Sequence, residues 1–229
     1  MKRRRAVVIL IVCAGVLGLL FSAPALLFGA VDDMIAPLVE RVMPDKAQRT
    51  PAGQEARSML AQLPVKGRAP KTGYARSQFG DGWAKKQGCS TREIILYRDM
   101  THVTMRDECS VQSGVLDDPY TGEIIHFSRA DASAVQIDHV VALSNAWQTG
   151  AQNIPKEQRR ALANDPLNLL AVDGPANQQK SDADAATWLP KNKAFRCQYA
   201  ERQVAVKQRY SLWVTRAEEA ALHDILTNC

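Results

Sequence analysis

The hydrophobic pattern divides the chain into one uninterrupted apolar run, a middle stretch of strand-like segments and two closing segments with helical spacing. Residues 6–30 contain no charged side chain and are long enough to cross a bilayer as a helix. Met34, Leu38 and Val42 recur at helical spacing, predicting a short amphipathic helix that Pro44 ends. Ala56, Met59, Leu60 and Leu63 repeat that spacing over 54–63, and the stretch 64–72, rich in Pro, Gly and Lys, reads as a connector. Strands are predicted at 91–97, 103–111 and 123–127, with turns at 79–83 and 117–122. An apolar run then closes on Asp138 and His139, a short strand follows at 167–172, and Asp173-Gly174-Pro175 turns into a helix carrying Asn177, Lys180 and Ser181. Short helices are expected between those strands at 142–147 and 155–162. Longer ones are expected at 194–210 and 216–226, the last with Thr215 and Glu218 as a capping box. The expectation is an α+β fold, with no internal repeat, organised around a strand–loop–strand–helix core at 134–182.

Charge changes this picture at one end only. Lys2, Arg3, Arg4 and Arg5 precede the apolar run, and no acidic residue occurs before Asp32. Removing these four from the formal charge of +5 leaves +1, so the high isoelectric point belongs largely to the first few residues. It is not by itself a sign of a nucleic-acid-binding surface. A tetrabasic flank before an apolar helix predicts a cytoplasmic N-terminus and an exported remainder. Residues 1–30 are read as a signal anchor or a cleaved signal peptide, the anchor slightly preferred because Pro24 lies within the small-residue site Ala23-Pro24-Ala25. Residues 31–59 follow as a juxtamembrane helix and linker, and 60–229 as the compact domain.

The cysteines agree with export. Cys13 lies in the apolar run and leaves Cys89, Cys109, Cys197 and Cys229, an even number. Sequence allows three connectivities, free thiols in a cytosolic protein or a structural zinc site. No C-x-x-C pair supports zinc. The local pairs Cys89–Cys109 and Cys197–Cys229 are preferred because each ties neighbouring elements.

The chemistry is read from the central core. Hydrolysis of a phosphodiester requires a water to lose a proton, phosphate charge to be neutralised and the leaving oxygen to be stabilised. Asp138 and Asn177 offer hard oxygen donors for one divalent cation, with water completing its shell. His139 offers a neutral imidazole as base. Neighbouring strand residues point to opposite faces, so Asp138 and His139 must sit at a strand end where the chain bends. Asn168 is expected to bond the backbone of the loop after His139. Asn177, Lys180 and Ser181 share a helix face, from which Lys180 can approach a phosphate oxygen. Each piece alone is a weak signal. His126, His102 and His223 read as structural or surface histidines, and Trp147, Trp188 and Trp213 as core. The cations Arg159, Arg160, Lys180, Lys191, Lys193 and Arg196 are expected to gather around the motif helix.

Together these residues resemble the HNH, or ββα-metal (His-Me finger), endonuclease superfamily. They are most similar to exported bacterial HNH proteins related to the C-terminal domain of GmrSD-type restriction enzymes. The resemblance extends to Gly73-Tyr74-x-Arg76, Phe79-Gly80-x-Gly82-Trp83, Cys89-x-Thr91-Arg92, Asp118-Pro119-Tyr120-x-Gly122, Asp165-Pro166-x-Asn168-Leu169, Trp188-x-Pro190, Cys197-x-Tyr199 and Tyr210, and covers about residue 60 to the C-terminus. It implies His139 as general base, Asp138 and Asn177 as metal ligands and Asn168 as the loop-orienting residue. Magnesium or manganese is favoured over zinc, because Asn rather than His stands at position 177. The implied protein is a monomeric extracytoplasmic nuclease acting on DNA, with RNA as a second candidate substrate. The alternative is a disulfide-stapled binding module on the same scaffold.

Overall fold

Helix α1 (Gly53–Leu60) opens the part of the chain that the computed structural model describes, residues 51–229. The expected signal segment and the pattern around Met34, Leu38 and Val42 lie outside the described residues. Among the described residues no helix is long and apolar enough to cross a membrane. Ala56 and Leu60 of α1 are buried, and the helix lies against the two C-terminal helices. The stretch expected to serve as linker up to residue 59 therefore supplies core side chains. The packed body starts ahead of Leu60, because α1 has helices against which to bury its apolar face.

The architecture is mixed α and β. After a 3-10 turn (Arg76–Phe79) come the short paired strands β1 (Lys85–Lys86) and β2 (Cys89–Ser90), then helix α2 (Thr91–Asp99). Helix α2 replaces the strand expected at 91–97. Ser90 caps it by accepting the Glu93 amide at 3.4 Å. Its consecutive Ile94, Ile95 and Leu96 are all buried, because α2 is covered on more than one side and so shows no clear helical period. Strands β3 (Met100–Met105), β4 (Val111–Asp117) and β5 (Ile124–Ser128) form an antiparallel sheet in that order. The single strand expected at 103–111 is broken by a turn, in which Asp107 Oδ1 accepts the amides of Cys109 and Ser110 at 3.0 and 2.8 Å. Disulfides join Cys89 to Cys109 and Cys197 to Cys229.

Strands β6 (Val135–His139) and β7 (Leu169–Asp173) make a second antiparallel pair, with Asp138 opposite Leu170 and His139 opposite Leu169. Helices α3 (Leu143–Gln148) and α4 (Lys156–Ala163) fill the connection between them. Helix α5 (Gly174–Lys180) follows β7 directly and rests on both strands. Asp173 caps α5 by accepting the Ala176 amide at 2.7 Å. Gly174 is required there: a Cβ at that position would lie 2.3 Å from the Ser133 carbonyl oxygen. Helices α6 (Arg196–Arg209) and α7 (Arg216–Thr227) close the chain, with Thr215 and Glu218 forming a capping box on α7.

Two apolar cores flank the β6–β7 pair. One gathers Ala56, Leu60, Tyr120, Leu170, Val172 and Tyr199 around α6 and α7. The other gathers Phe79, Trp147, Leu162, Leu167 and Leu212 around α3 and α4. Val140 belongs to the first and Val141 to the second, so the chain leaving His139 is fixed between them.

Candidate functional site

His139 is the last residue of β6, and the chain turns immediately after it. Asn168, fully buried, makes that turn. It sits in the 3-10 turn (Pro166–Asn168) just ahead of β7, not on the strand itself. Its Oδ1 accepts the Val141 amide at 2.8 Å, and its Nδ2 donates to the carbonyls of Val141 and Leu162 at 3.3 and 3.4 Å. Val140 N also donates to Asn168 O at 2.8 Å, so the side chain and backbone of one residue bracket the loop.

Asp138 and His139 reach different partners, as strand alternation requires. The Asp138 carboxylate accepts the Tyr120 hydroxyl at 2.5 Å, and Lys180 Nζ lies 3.0 Å from each of its oxygens. Lys180 Nζ also donates to the His139 carbonyl oxygen at 2.9 Å. Burial pushes the Asp138 carboxyl pKa up, while the Lys180 charge and the Tyr120 hydrogen bond oppose that shift. Lys180 itself is 0% exposed. The expectation that it approaches a phosphate oxygen is corrected: its stem lies on the inner face of α5, and its ammonium is spent on Asp138 and the β6 backbone.

His139 Nε2 lies 2.9 Å from the Ala163 carbonyl at the end of α4. A carbonyl can only accept, so Nε2 carries the proton and Nδ1 the lone pair. Burial, with lesser contributions from the Arg76 and Lys180 charges, lowers the imidazole pKa to about 3. The ring is therefore neutral at physiological pH. Trp83 stacks on it, with ring centroids 5.5 Å apart and planes 7° from parallel. Trp83 follows Gly80 and Gly82, both at positive φ, in the 79–83 turn.

A cleft of about 380 Å³ brings together Asp138, His139 and Asn177, with Lys71, Arg76 and Asp182 also in its wall. A recess of about 90 Å³ shares Arg76 and His139 with it and is bounded by Trp83. Asn177, half-buried on α5, donates through Nδ2 to Gln136 Oε1 at 2.9 Å, which leaves its carbonyl oxygen as the available donor. Among the described residues no group of three His, Cys, Asp or Glu side chains is arranged to hold a metal ion. The available donor set is instead one carboxylate and one amide. It fits a hard cation that keeps several waters. A carboxylate has about four acceptor positions, so Tyr120 and Lys180 do not exhaust Asp138.

The cations expected around the motif helix are not in the cleft wall. Arg159 donates to the carbonyls of Gln78 and Ile154 and lies over Trp147, Arg196 donates to the Pro190 carbonyl, and Lys191 and Lys193 are exposed elsewhere. Lys71 and Arg76, ahead of the core, line the cleft instead. His102, His126 and His223 are exposed and do not line it. Trp147 is buried, Trp188 meets Tyr120 and Tyr199 edge-on, and Trp213 donates to the Gly67 carbonyl. The site residues that sequence reasoning left without a role are Tyr120, Trp83 and Arg76. Each lay in a quoted motif, but Tyr120 and Trp83 meet partners remote in sequence, and Arg76 reaches the cleft only through the fold.

The family described as GmrSD restriction endonucleases, C-terminal domain, matches residues 92–225. A protein of Arthroderma benhamiae described as an uncharacterized secreted protein is 40% identical over 182 residues, covering 78% of this chain and 87% of its own length. No solved structure matches.

Proposed function

The chain belongs to the family of GmrSD restriction endonuclease C-terminal domains, and on that premise we propose that it is an extracytoplasmic, metal-dependent HNH endonuclease hydrolysing phosphodiester bonds in DNA. The observation that carries this reading is the convergence of Asp138, His139 and Asn177 on one cleft at the β6 end. The β6–β7–α5 unit is read as the ββα-metal core. The secreted relative, the two disulfides and the basic-flanked apolar run at 6–30 support export, with the N-terminal segment as anchor or cleaved signal.

Asp138 and Asn177 would hold a magnesium or manganese ion, which when bound neutralises phosphate charge and stabilises the leaving oxygen. The remaining work falls to the chain. With Nε2–H committed to the Ala163 carbonyl, His139 Nδ1 is free to take the proton of the attacking water. Asn168 holds the loop that aims the ring. Tyr120 and Lys180 fix the Asp138 carboxylate and oppose the rise in its pKa that burial causes. Lys180 therefore acts as a positioning residue, without touching substrate.

The test is plasmid nicking by the purified, oxidised protein with magnesium, manganese or EDTA, comparing wild type with His139→Ala. We expect metal-dependent nicking, lowered by about 100-fold or more in the variant, the range for loss of a general base. Equal nicking by both proteins would remove His139 from the mechanism. Absence of nicking with any metal would leave the disulfide-stapled binding module.

A further inference from the structure

Arg76 differs from the other cations at the cleft. Lys71 Nζ bonds Asp182 Oδ2 at 3.0 Å, and Lys180 is buried against Asp138, so each cleft carboxylate already has a lysine. Arg76 is exposed, lines both the cleft and the recess beside His139, and its guanidinium makes no hydrogen bond or salt bridge to any described residue. Other arginines of the body are tied down: Arg129 to Glu93, Arg159 to the carbonyls of Gln78 and Ile154, Arg209 to Asp165. The Arg76 backbone is nonetheless fixed. It opens the 3-10 turn whose Phe79, 2% exposed, sits edge-on to Tyr74 and Trp147.

A guanidinium without a protein acceptor, beside carboxylates that are already compensated, leaves one uncompensated positive charge at the cleft. Its planar fork matches two oxygens of a phosphate. We propose that Arg76 is the anion-binding residue of this cleft, taking two oxygens of a nucleic-acid phosphate bound beside His139. This rests on reading the cleft as a phosphodiester site.

The experiment measures binding of a fluorescein-labelled oligonucleotide to the full chain by anisotropy, in EDTA and over a series of salt concentrations. Wild type is compared with Arg76→Gln, Arg76→Lys and Lys191→Gln, an exposed cation outside the cleft. Arg76→Gln should bind about tenfold more weakly, and the slope of log affinity against log salt should fall by about one. Arg76→Lys should recover the slope but only part of the affinity, because an ammonium is a point charge. Lys191→Gln should change neither. An unchanged slope in Arg76→Gln, or a wild type whose binding is absent or insensitive to salt, overturns the proposal. The Arg76 side chain makes no internal bond, so an unchanged melting temperature checks that the variant is folded. The catalytic reading fails separately: if His139→Ala nicks as wild type does while the Arg76 slope effect holds, the base assignment falls and the anion site stands. If Arg76→Gln binds and nicks normally while His139→Ala is inactive, the reverse follows.

Discussion

Two buried lysine–carboxylate pairs occur among the described residues, and they have different neighbours. Lys207 and Glu218 join α6 to α7, 2.9 Å apart with both side chains 0% exposed, and Lys207 also bonds Asn145 Oδ1 and the Trp213 carbonyl. Lys180 and Asp138 join α5 to β6 at 3.0 Å, also almost wholly buried. In both, burial raises the carboxyl pKa and the lysine opposes the shift. Chemically they are the same device, and a buried ion pair is by itself weak evidence of either stability or function. The distinction lies in what each carboxylate faces. Glu218 is enclosed by helices and caps α7, whereas Asp138 lines a cleft beside a neutral imidazole.

The comparison breaks most sharply when one partner is removed. Asp138→Ala should abolish nicking and destabilise the fold by about 3–5 kcal/mol, because Lys180 is left charged and buried. Lys207→Ala should cost about the same 3–5 kcal/mol by leaving Glu218 unpaired, yet keep wild-type nicking per folded molecule. Urea unfolding alongside the nicking assay measures both. Loss of nicking in folded Lys207→Ala would erase the distinction. Replacing both members sharpens it: Asp138→Leu with Lys180→Met should restore stability to within about 1–2 kcal/mol of wild type while remaining inactive, as apolar pairs often substitute for buried ions. A smaller effect is expected at the entrance to α5. Gly174→Ala should cost about 1–3 kcal/mol through the clash with the Ser133 carbonyl, and shift of the Asn177 donor should lower nicking beyond the loss of folded protein.

The smallest effect is a pH dependence away from both pairs. Asp107, held by the amides of Cys109 and Ser110, has its pKa lowered from 3.8 to about 2. Between those values the unfolded chain binds the proton and the folded chain does not, so this contribution is complete above pH 3.8 and is lost as pH falls toward 2. Asp107→Asn should flatten the stability curve in that window only. A Tm–pH slope unchanged by the substitution would contradict it.

Much of the scaffold was legible because its signals are local. The apolar run into Asp138 and His139, the spacing of α6 and the Thr215–Glu218 cap each depend on residues within a few positions of one another. Helix α2 was misread because Ile94, Ile95 and Leu96 form a contiguous apolar block, although Ser90 and Glu93 carried the S-x-x-E cap spacing that distinguishes helix from strand. In the site, the residue types facing the cleft could be read, but their supports could not. Tyr120 and Lys180 stand 18 and 42 positions from Asp138, and no local pattern reports such a pairing. Lys180 misled for the same reason: lysine on a helix usually faces water, and only the fold shows that this one turns inward.

The turn between β4 and β5 connects a sheet that contributes no side chain to the cleft with the carboxylate that does. Asp118, within that turn, accepts the Asp173 amide at 2.9 Å and the Thr121 amide at 2.7 Å, while Tyr120, two residues on, reaches Asp138. Asp173 in turn caps α5, the helix that carries Asn177. One corner thus gauges the separation of both oxygen donors, so a perturbation in the outlying sheet would be transmitted to the two ligands together rather than to either alone.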